Sequence, residues 1–263
     1  SFAELERYNR ALFVQHQAGF GAHDLLVSLR DDNNEAFGNH VTGNAAWGIG
    51  PESLRTTLSY GTAFKAPSFN QLYFPGFGNP LLRPEESESY ELGFRAGPER
   101  LRTALSLYQT NTENLIVFDL ASFTLQNIGR GRVRGVELEE TVKLGQWIAA
   151  LRVTRLDPRN RDNDNLLPRR AKRLLRLDVD TPIGPVKLGI GVLGESERYD
   201  NASNTVELAG FWRLDLRARW DISKAWYLAA KLNNALDEDY QTVATYNSAG
   251  RNALLTVGWQ GQP

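Results

Sequence analysis

The stretch from 212 to 221, WRLDLRARWD, limits the fold of this chain more than any other segment, because apolar and charged residues alternate along its whole length. Successive side chains of a β-strand point to opposite faces, so this alternation gives the strand one apolar and one charged face. A tryptophan, Trp212 or Trp220, closes each end of the apolar row. The pattern is typical of a strand that faces lipid on one side and a water-filled lumen on the other.

The same alternation recurs along the chain and predicts about thirteen strands, of which the first, Tyr8 to Phe20, is the weakest. The other predicted strands lie near 23–30, 41–49, 54–60, 88–96, 101–107, 135–144, 147–154, 173–180, 186–192, 212–221, 226–232 and 255–259. Their connections alternate between long polar loops and short tight turns, an asymmetry found in outer-membrane barrels. We therefore predict an all-β fold, a transmembrane antiparallel β-barrel of about 12–13 strands, as a single domain over residues 1–263.

Composition excludes other classes of protein. No apolar run approaches the roughly 18 residues of a membrane helix, and the mean hydropathy is −0.41. A formal net charge of −1 provides no overall field for nucleic acid, so we expect no nucleic-acid partner. The absence of cysteine excludes disulfides and thiolate metal sites. Because methionine is also absent, we expect that Ser1 is not the natural start of the protein.

The odd number of predicted strands raises a problem of closure, since a barrel whose neighbouring strands are all antiparallel needs an even number. One solution is that the segment from Tyr8 to Phe20 lies outside the barrel, which leaves twelve strands. The other is that the chain forms part of a larger barrel. Periodicity alone leaves both alternatives open.

Four segments of the chain resemble one protein family. They are SYGTAFKAPSFNQLYFPGFGNPLLRPEESESYELGF (59–94), NIGRGRVRGVELE (127–139), LLPRRAK (166–172) and LNNALDEDY (232–240). With the loops between them, they make the chain similar to the C-terminal part of TonB-dependent outer-membrane receptors. The pieces RRAK and YNSAGR are similar to the cobalamin receptors within that family. The resemblance implies a receptor and transporter for cobalamin in the outer membrane of a Gram-negative cell, with outer-membrane lipid and a bulky chelate as its partners.

The resemblance also implies what the complete protein contains. Members of the family form a 22-stranded barrel around an N-terminal plug, and a TonB box ahead of the plug couples them to the inner membrane. The chain resembles about the last thirteen of those strands. We therefore expect the plug domain to be absent, and contact with TonB to depend on that absent N-terminal region.

Candidate ligand-binding residues lie in the predicted long loops. Tyr73, Phe74 and Phe77 form an aromatic cluster that could bind the flat face of a corrinoid or equally pack the loop onto itself. By resemblance, Arg169 inherits a position near bound cobalamin, although an arginine in a barrel wall also commonly joins a charge ladder. Tyr199 is near, but displaced from, a tyrosine that the family uses, and Tyr246 belongs to the similar YNSAGR segment.

Other charged residues have simpler interpretations. Five of them are expected to line the lumen, namely Arg130, Arg132, Arg134, Glu137 and Glu139. The segments DNNEAFGN and DPRNRDNDN lack the spacing of a calcium-binding loop. We interpret them as hydrated outer loops and expect no metal site. Glu140, on the apolar row of its strand, fits the alternation least well.

The sequence does not indicate an enzyme. His16, His23 and His40 are its only histidines, none lies in a serine-hydrolase motif, and no GxSxG occurs, so no catalytic residue is assigned. No cofactor is expected besides cobalamin as a ligand. Two other functions stay open: a siderophore (ferric chelate) receptor of the same fold, and a passive pore or an engineered barrel scaffold without transport.

Overall fold

The computed structural model describes residues 6–119 and 122–261, and almost all of its regular structure is β-strand. One short helix, α1 (Phe69–Tyr73), interrupts the strands, and no described helix is long and apolar enough to cross a membrane. The strands are β1 (Asn9–Phe20), β2 (His23–Asn34), β3 (Gly38–Ile49), β4 (Leu54–Lys65), β5 (Glu85–Ala96), β6 (Leu101–Asp119), β7 (Thr124–Leu144), β8 (Trp147–Asn160), β9 (Arg173–Ile183), β10 (Val186–Glu195), β11 (Arg198–Tyr199), β12 (Glu207–Leu208), β13 (Phe211–Asp221), β14 (Trp226–Asn233) and β15 (Asn252–Trp259).

Thirteen of these strands form one antiparallel sheet, in which every strand pairs with its neighbour along the chain. The order runs from β1 to β10 and then from β13 to β15, while β11 and β12 form a small hairpin of their own. The weak first strand is confirmed, because β1 pairs with β2 along its whole length. Within the described residues β1 and β15 do not pair with each other, so the sheet has two open edges.

The connections give the sheet two different ends. At the short-turn end they occupy 21–22, 50–53, 97–100, 145–146, 184–185 and 222–225. At the long-loop end they occupy 35–37, 66–84, 120–123, 161–172, 196–210 and 234–251. The predicted alternation of long and short connections therefore holds, except that two connections at the long-loop end are also short.

Two predicted polar loops are partly strand. In DDNNEAFGN the residues Asp31 to Asn34 belong to β2, and in DPRNRDNDN the residues Asp157 to Asn160 belong to β8. The two strands that flank the connection at 120–123 are also long, with 19 residues in β6 and 21 in β7. A strand that continues beyond a lipid layer meets water on both faces, so its residues become polar without any loss of pairing.

The two faces of the sheet differ as the alternation predicts. The apolar face, defined by Trp212 and Trp220 of β13, exposes its hydrophobic side chains, and all six tryptophans of the chain are 41–64% exposed. Five of the six lie toward the short-turn end: Trp47, Trp147, Trp220, Trp226 and Trp259. An apolar face of this extent with an aromatic border needs an apolar environment, which a lipid bilayer provides.

The opposite, polar face is held together by ion pairs between strands. Arg217 of β13 reaches across β10 to Asp178 at 3.0 Å and to Asp180 at 2.6 Å, both on β9. Arg219 pairs with Asp221 at 2.8 Å on its own strand. The charged row of WRLDLRARWD is therefore neutralised by carboxylates of the same face.

One prediction about the faces is wrong. Arg130, Arg132 and Arg134 lie on the apolar face, because β7 alternates without interruption up to Leu138, which also lies there. Ladder partners share a face, and Leu138 is connected through the partners Val153, Leu175 and Gly194 to Trp212. Two other residues of the predicted lumen lining do lie on the polar face, Glu137 and Glu139.

Glu140 lies on the apolar face, where the sequence placed it. Its Oε2 accepts a hydrogen bond from Thr103 Oγ1 of β6 at 2.7 Å. Its other oxygen, Oε1, is buried and has no hydrogen-bond partner among the described residues. This carboxyl group therefore makes one hydrogen bond on the apolar face.

Candidate functional site

Four long connections lie at the long-loop end, and they carry every predicted ligand-binding residue. We name them loop A (66–84), loop B (161–172), loop C (196–210, which contains β11 and β12) and loop D (234–251). Tyr73, Phe74 and Phe77 belong to loop A. Arg169 belongs to loop B, Tyr199 to loop C and Tyr246 to loop D.

Loops B, C and D are joined by the carboxylate of Asp200, whose side chain is only 2% exposed. Arg169 of loop B donates to it through Nε at 2.8 Å and through Nη2 at 3.3 Å. The backbone N–H of Ala244 in loop D donates to the same carboxylate at 3.2 Å. One buried side chain of loop C thus contacts both loop B and loop D, and the planar fork of the Arg169 guanidinium makes its contact directional.

Further contacts between loops B and C surround this carboxylate. The backbone N–H of Arg169 donates to the carbonyl of Tyr199 at 2.6 Å. The side chain of Asn204 accepts from the N–H of Leu166 at 2.7 Å and donates to the carbonyl of Leu166 at 2.8 Å. Arg169 and Tyr199, which the sequence singled out separately, are therefore adjacent in the structure.

Two buried asparagines shape loops C and D from within. Asn201 accepts hydrogen bonds from the N–H groups of Thr205 and Val206, each at 3.0 Å. Asn234 is 1% exposed, accepts from the N–H of Glu238 at 2.9 Å and donates to the carbonyl of Glu238 at 2.8 Å. An asparagine side chain that bonds nearby backbone takes the place of a backbone turn, so these loops have a defined shape.

Loop A is ordered by aromatic contacts and by a helix cap. The rings of Phe74 and Phe77 stack with centroids 4.4 Å apart, and Phe77 meets the edge of Phe118 of β6 at 6.2 Å. In α1, Ser68 and Gln71 bond each other's backbone N–H groups in a capping box. The aromatic cluster therefore packs loop A onto β6, while Phe74 stays exposed.

Arg170 of loop B lies near the start of β5. Burial lowers the pKa of its guanidinium, and the charge of Glu85 partly offsets this effect. Glu85 is itself buried, and it accepts from Lys65 Nζ and from the N–H of Ile116, each at 2.7 Å. Since Arg170 makes no hydrogen bond within the described part of the chain, its donors are available to water or to a ligand.

The six predicted residues thus fall into separate groups. Arg169 and Tyr199 meet beside Asp200, and Tyr246, which is 72% exposed, follows two residues after Ala244, the residue of loop D that contacts Asp200. Tyr73, Phe74 and Phe77 lie in loop A, where Phe74 stacks on Phe77 and the ring of Tyr73 is 6.1 Å from that of Phe69. Contact of any of the six with a ligand stays a prediction.

Three residues that join or shape the loops were not predicted from the sequence, namely Asp200, Asn201 and Asn204. The segment DNASN did carry a signal, because asparagine and aspartate bond nearby backbone in turns. What it could not indicate was the partner of each side chain, since Arg169 and Asp200 are 31 positions apart.

The acidic side chains of DPRNRDNDN pair mainly with arginines. Across residues 6–119 and 122–261, no group of three or more His, Asp or Glu side chains is arranged to hold a metal ion. The carboxylates of DPRNRDNDN have other partners, since Asp157 pairs with Arg159 at 2.8 Å and Asp162 pairs with Arg130 at 2.9 Å. Hydrogen bonds from the backbone and side chain of Arg130 lower the pKa of Asp162.

Comparison with known proteins identifies the family. The family model described as "TonB dependent receptor-like, beta-barrel" matches residues 1–235. The vitamin B12 transporter BtuB of Vibrio vulnificus is 29% identical over 272 residues, which cover 99% of this chain and 44% of the relative. BtuB of Photobacterium profundum is 27% identical over 267 residues, 98% of this chain and 44% of the relative. The chain thus spans less than half of the length of these relatives.

Solved structures share the fold. The siderophore receptor PiuA from Acinetobacter baumannii has a TM-score of 0.80 at 21% identity, over 95% of this chain and 43% of that one. The copper transporter OprC has a TM-score of 0.79 at 18% identity, over 96% and 47%. Proteins of this family are receptors and transporters of the Gram-negative outer membrane and not enzymes. This chain therefore belongs to the TonB-dependent receptors, and its open thirteen-stranded sheet is part of their β-barrel.

Proposed function

We propose that the chain is the C-terminal barrel portion of an outer-membrane receptor that takes up vitamin B12, cobalamin. The observation that carries this proposal is the 29% identity with a vitamin B12 transporter over 99% of this chain. The 21% identity with a siderophore receptor supports the fold alone and does not favour a ferric chelate as the ligand. The proposal places the protein in the outer membrane of a Gram-negative cell.

The long-loop end has groups that suit such a ligand. The side chain of Arg169 is 42% exposed, and its contacts with Asp200 use Nε and Nη2, so Nη1 can donate to an amide or phosphate oxygen of cobalamin. The exposed rings of Phe74 and Tyr246 can pack against the apolar face of the corrin. Because loops B, C and D are already joined at Asp200, the guanidinium of Arg169 is held in place before the ligand arrives.

Coupling to TonB belongs to the proposal but not to residues of this chain. In the family that contact depends on an N-terminal region, whereas this chain resembles the C-terminal barrel. Outer-membrane lipid is the partner that we assign to this chain directly, against the apolar face.

Ligand binding tests the proposal. Outer membranes from cells that express the protein should retain labelled cyanocobalamin, and an excess of ferric enterobactin should not displace it. Retention of ferric enterobactin in place of cyanocobalamin would assign the chain to siderophore receptors. A steady open-channel conductance in a planar bilayer, without retention of either ligand, would instead support the passive pore.

A pair of variants in loop D separates ligand contact from folding. Tyr246→Ala removes an exposed ring and should weaken cyanocobalamin binding about tenfold if that ring packs on the corrin. Leu236→Ala removes an equally exposed apolar side chain of the same loop and should leave binding unchanged. Equal losses in both variants would show that loop D contributes only general structure.

A further inference from the structure

Six arginines lie on the apolar face at the long-loop end of three neighbouring strands. This arginine patch consists of Arg130, Arg132 and Arg134 on β7, Arg155 and Arg159 on β8, and Arg173 on β9. Its members continue rows of Val136, Val153 and Leu175, whose side chains belong to the apolar face. The patch therefore begins where the apolar rows end.

Aromatic residues mark the level at which the patch begins. The rings of Tyr60 and Tyr90 lie 4.9 Å apart on the apolar face, and Tyr90 is connected through its ladder partner Gln109 to Arg134. Trp212 lies in the row of Leu175, two residues below Arg173. Tyrosine and tryptophan collect at the border between hydrocarbon and headgroups in such barrels, so the first arginines lie at headgroup level.

Part of the patch is neutralised by the chain itself. Asp157 lies 2.8 Å from Arg159 and 3.4 Å from Arg132, and Asp162 lies 2.9 Å from Arg130. These contacts leave Arg134, Arg155 and Arg173 as the less compensated members.

Arg155 and Arg173 stand directly opposite each other in the ladder between β8 and β9. Arg173 has one distant carboxylate, Glu197 at 3.7 Å, and the side chain of Arg155 makes no hydrogen bond or ion pair within the described residues. Arg134 has only the amide oxygen of Gln109, at 2.7 Å. Like charges directly opposite each other destabilise a sheet. An anion that binds between Arg155 and Arg173 would reduce this repulsion and stabilise the pair.

The polar face of the same two strands provides a contrast. Arg152 and Arg176 also stand opposite each other there. Arg152 pairs with Glu139 at 2.6 Å, and Arg176 pairs with Asp178 at 2.7 Å. Among the described residues, the chain thus provides close carboxylates for an opposed arginine pair on the polar face and none closer than 3.7 Å for the equivalent pair on the apolar face.

We propose that the arginine patch binds phosphate groups of membrane-lipid headgroups, with Arg134, Arg155 and Arg173 as the main donors. The inference rests on the proposed function in one respect, that the apolar face lies against the outer membrane. Guanidinium groups bind phosphate through two parallel hydrogen bonds, and basic residues at a bilayer surface attract anionic headgroups. The lipid phosphate supplies the negative charge that the apolar face lacks.

Two matched double variants test the assignment in neutral detergent. The probes are dioleoyl phosphatidic acid, dioleoyl phosphatidylcholine and inorganic phosphate. Unaltered protein should bind phosphatidic acid more tightly than either of the others, and less tightly as salt is added. Arg155→Gln with Arg173→Gln should weaken phosphatidic acid binding about tenfold or more. Arg152→Gln with Arg176→Gln, the equivalent pair on the polar face, should change it less than about twofold.

A charge reversal gives a second, independent measurement. Arg155→Glu places a carboxylate opposite Arg173, so it should raise resistance to urea unfolding while it abolishes preference for phosphatidic acid. Equal losses of lipid binding in both double variants, or equal affinity for inorganic phosphate and phosphatidic acid, would overturn the lipid assignment. Cyanocobalamin binding is measured separately. If unaltered protein does not bind cyanocobalamin, the proposed function is contradicted. If the protein binds cyanocobalamin but does not prefer phosphatidic acid, only the lipid assignment of the arginine patch is contradicted.

Discussion

The two ends of the sheet are held by different kinds of contact. At the short-turn end, the turns bond through their backbones to the neighbouring turn or strand end. The N–H of Gly97 donates to the carbonyl of Ser53 at 3.0 Å, and the N–H of Lys143, at the end of β7, donates to the carbonyl of Arg100 at 2.8 Å. At the long-loop end, loops B, C and D are joined by the side chain of Asp200. Backbone hydrogen bonds thus hold the short-turn end together, whereas a few buried side chains join the loops at the long-loop end.

This difference determines how each end responds to substitution. A turn held by its backbone tolerates most side-chain changes and is sensitive mainly where its dihedral angles need glycine. A loop held by a buried side chain loses several contacts when that one side chain is changed. We therefore expect the largest single-residue effects at the long-loop end.

Arg169→Ala should have the largest effect, because it leaves the buried carboxylate of Asp200 with only the N–H of Ala244. Loss of one partner of a buried pair costs about 3–5 kcal/mol, and the partial exposure of Arg169 reduces our expectation to about 2–3 kcal/mol. Hydrogen exchange at Ala244 should accelerate accordingly, and trypsin should cleave loops B to D faster.

A second substitution separates buried charge from lost packing. Asp200→Asn, added to Arg169→Ala, should restore part of the protection, because it removes the charge that was left without its partner. Arg161→Ala, an exposed arginine of loop B, serves as the control and should leave exchange at Ala244 unchanged. Unchanged exchange at Ala244 in Arg169→Ala would show that Arg169 and Asp200 do not hold these loops.

The sequence predicted the sheet well because the relevant information is local. Period-two alternation gave all thirteen strands and both faces of WRLDLRARWD, and short Gly-containing segments such as GPER gave most of the turns. These features depend on residues within one strand or one turn. The contact between Arg169 and Asp200 depends on two loops that the sequence alone could not bring together.

The error at Arg130, Arg132 and Arg134 has a different cause. Their positive charge suggested the lumen, whereas strict alternation from Val136 placed them on the apolar face. Beyond the lipid layer the rule that assigns charge to the lumen no longer applies, because both faces meet water or headgroups. Alternation therefore predicted correctly which face of the sheet these arginines occupy. Their charge indicated only that they lie beyond the lipid layer.

Asn234 tests whether one asparagine maintains the shape of loop D. Asn234→Ala removes both hydrogen bonds to Glu238 and places a Cβ-bearing residue without a stabilising side chain at a φ of 51°. We expect a loss of about 2–4 kcal/mol in the local stability of loop D. Hydrogen exchange at Glu238 measures it. Asn234→Gly removes the hydrogen bonds but accommodates the positive φ, so it should cost less than Asn234→Ala. Equal costs would mean that the backbone there is unstrained.

Gly97 is the corresponding test at the short-turn end. Its φ is 106°, and a Cβ there would collide with the carbonyl oxygen of Leu101. Gly97→Ala should therefore lower the free energy of unfolding by about 1–3 kcal/mol, measured by urea titration in detergent. Gly145→Ala is the matched control, since Gly145 also has a positive φ, 60°, but no atom within 4 Å of the added Cβ. A smaller loss at Gly145 than at Gly97 would identify the collision as the main cause.

Breaking the ion pair of Glu99 should have the smallest effect on stability. This pair lies at the short-turn end and is exposed, whereas the carboxylate of Asp200 is buried. A hydrogen bond and the charge of Lys143, 2.8 Å away, lower the pKa of Glu99, and Arg102 adds to this. A carboxyl group whose pKa is lower in the folded protein stabilises the fold above its unfolded pKa, and this contribution disappears as pH falls through the folded value. Lys143→Met should raise the pKa of Glu99 toward its ordinary value, measured by NMR titration of a ¹³C-labelled glutamate. Loop B should keep its hydrogen-exchange protection in the same variant, and a loss there would mean that the two ends are coupled through β7.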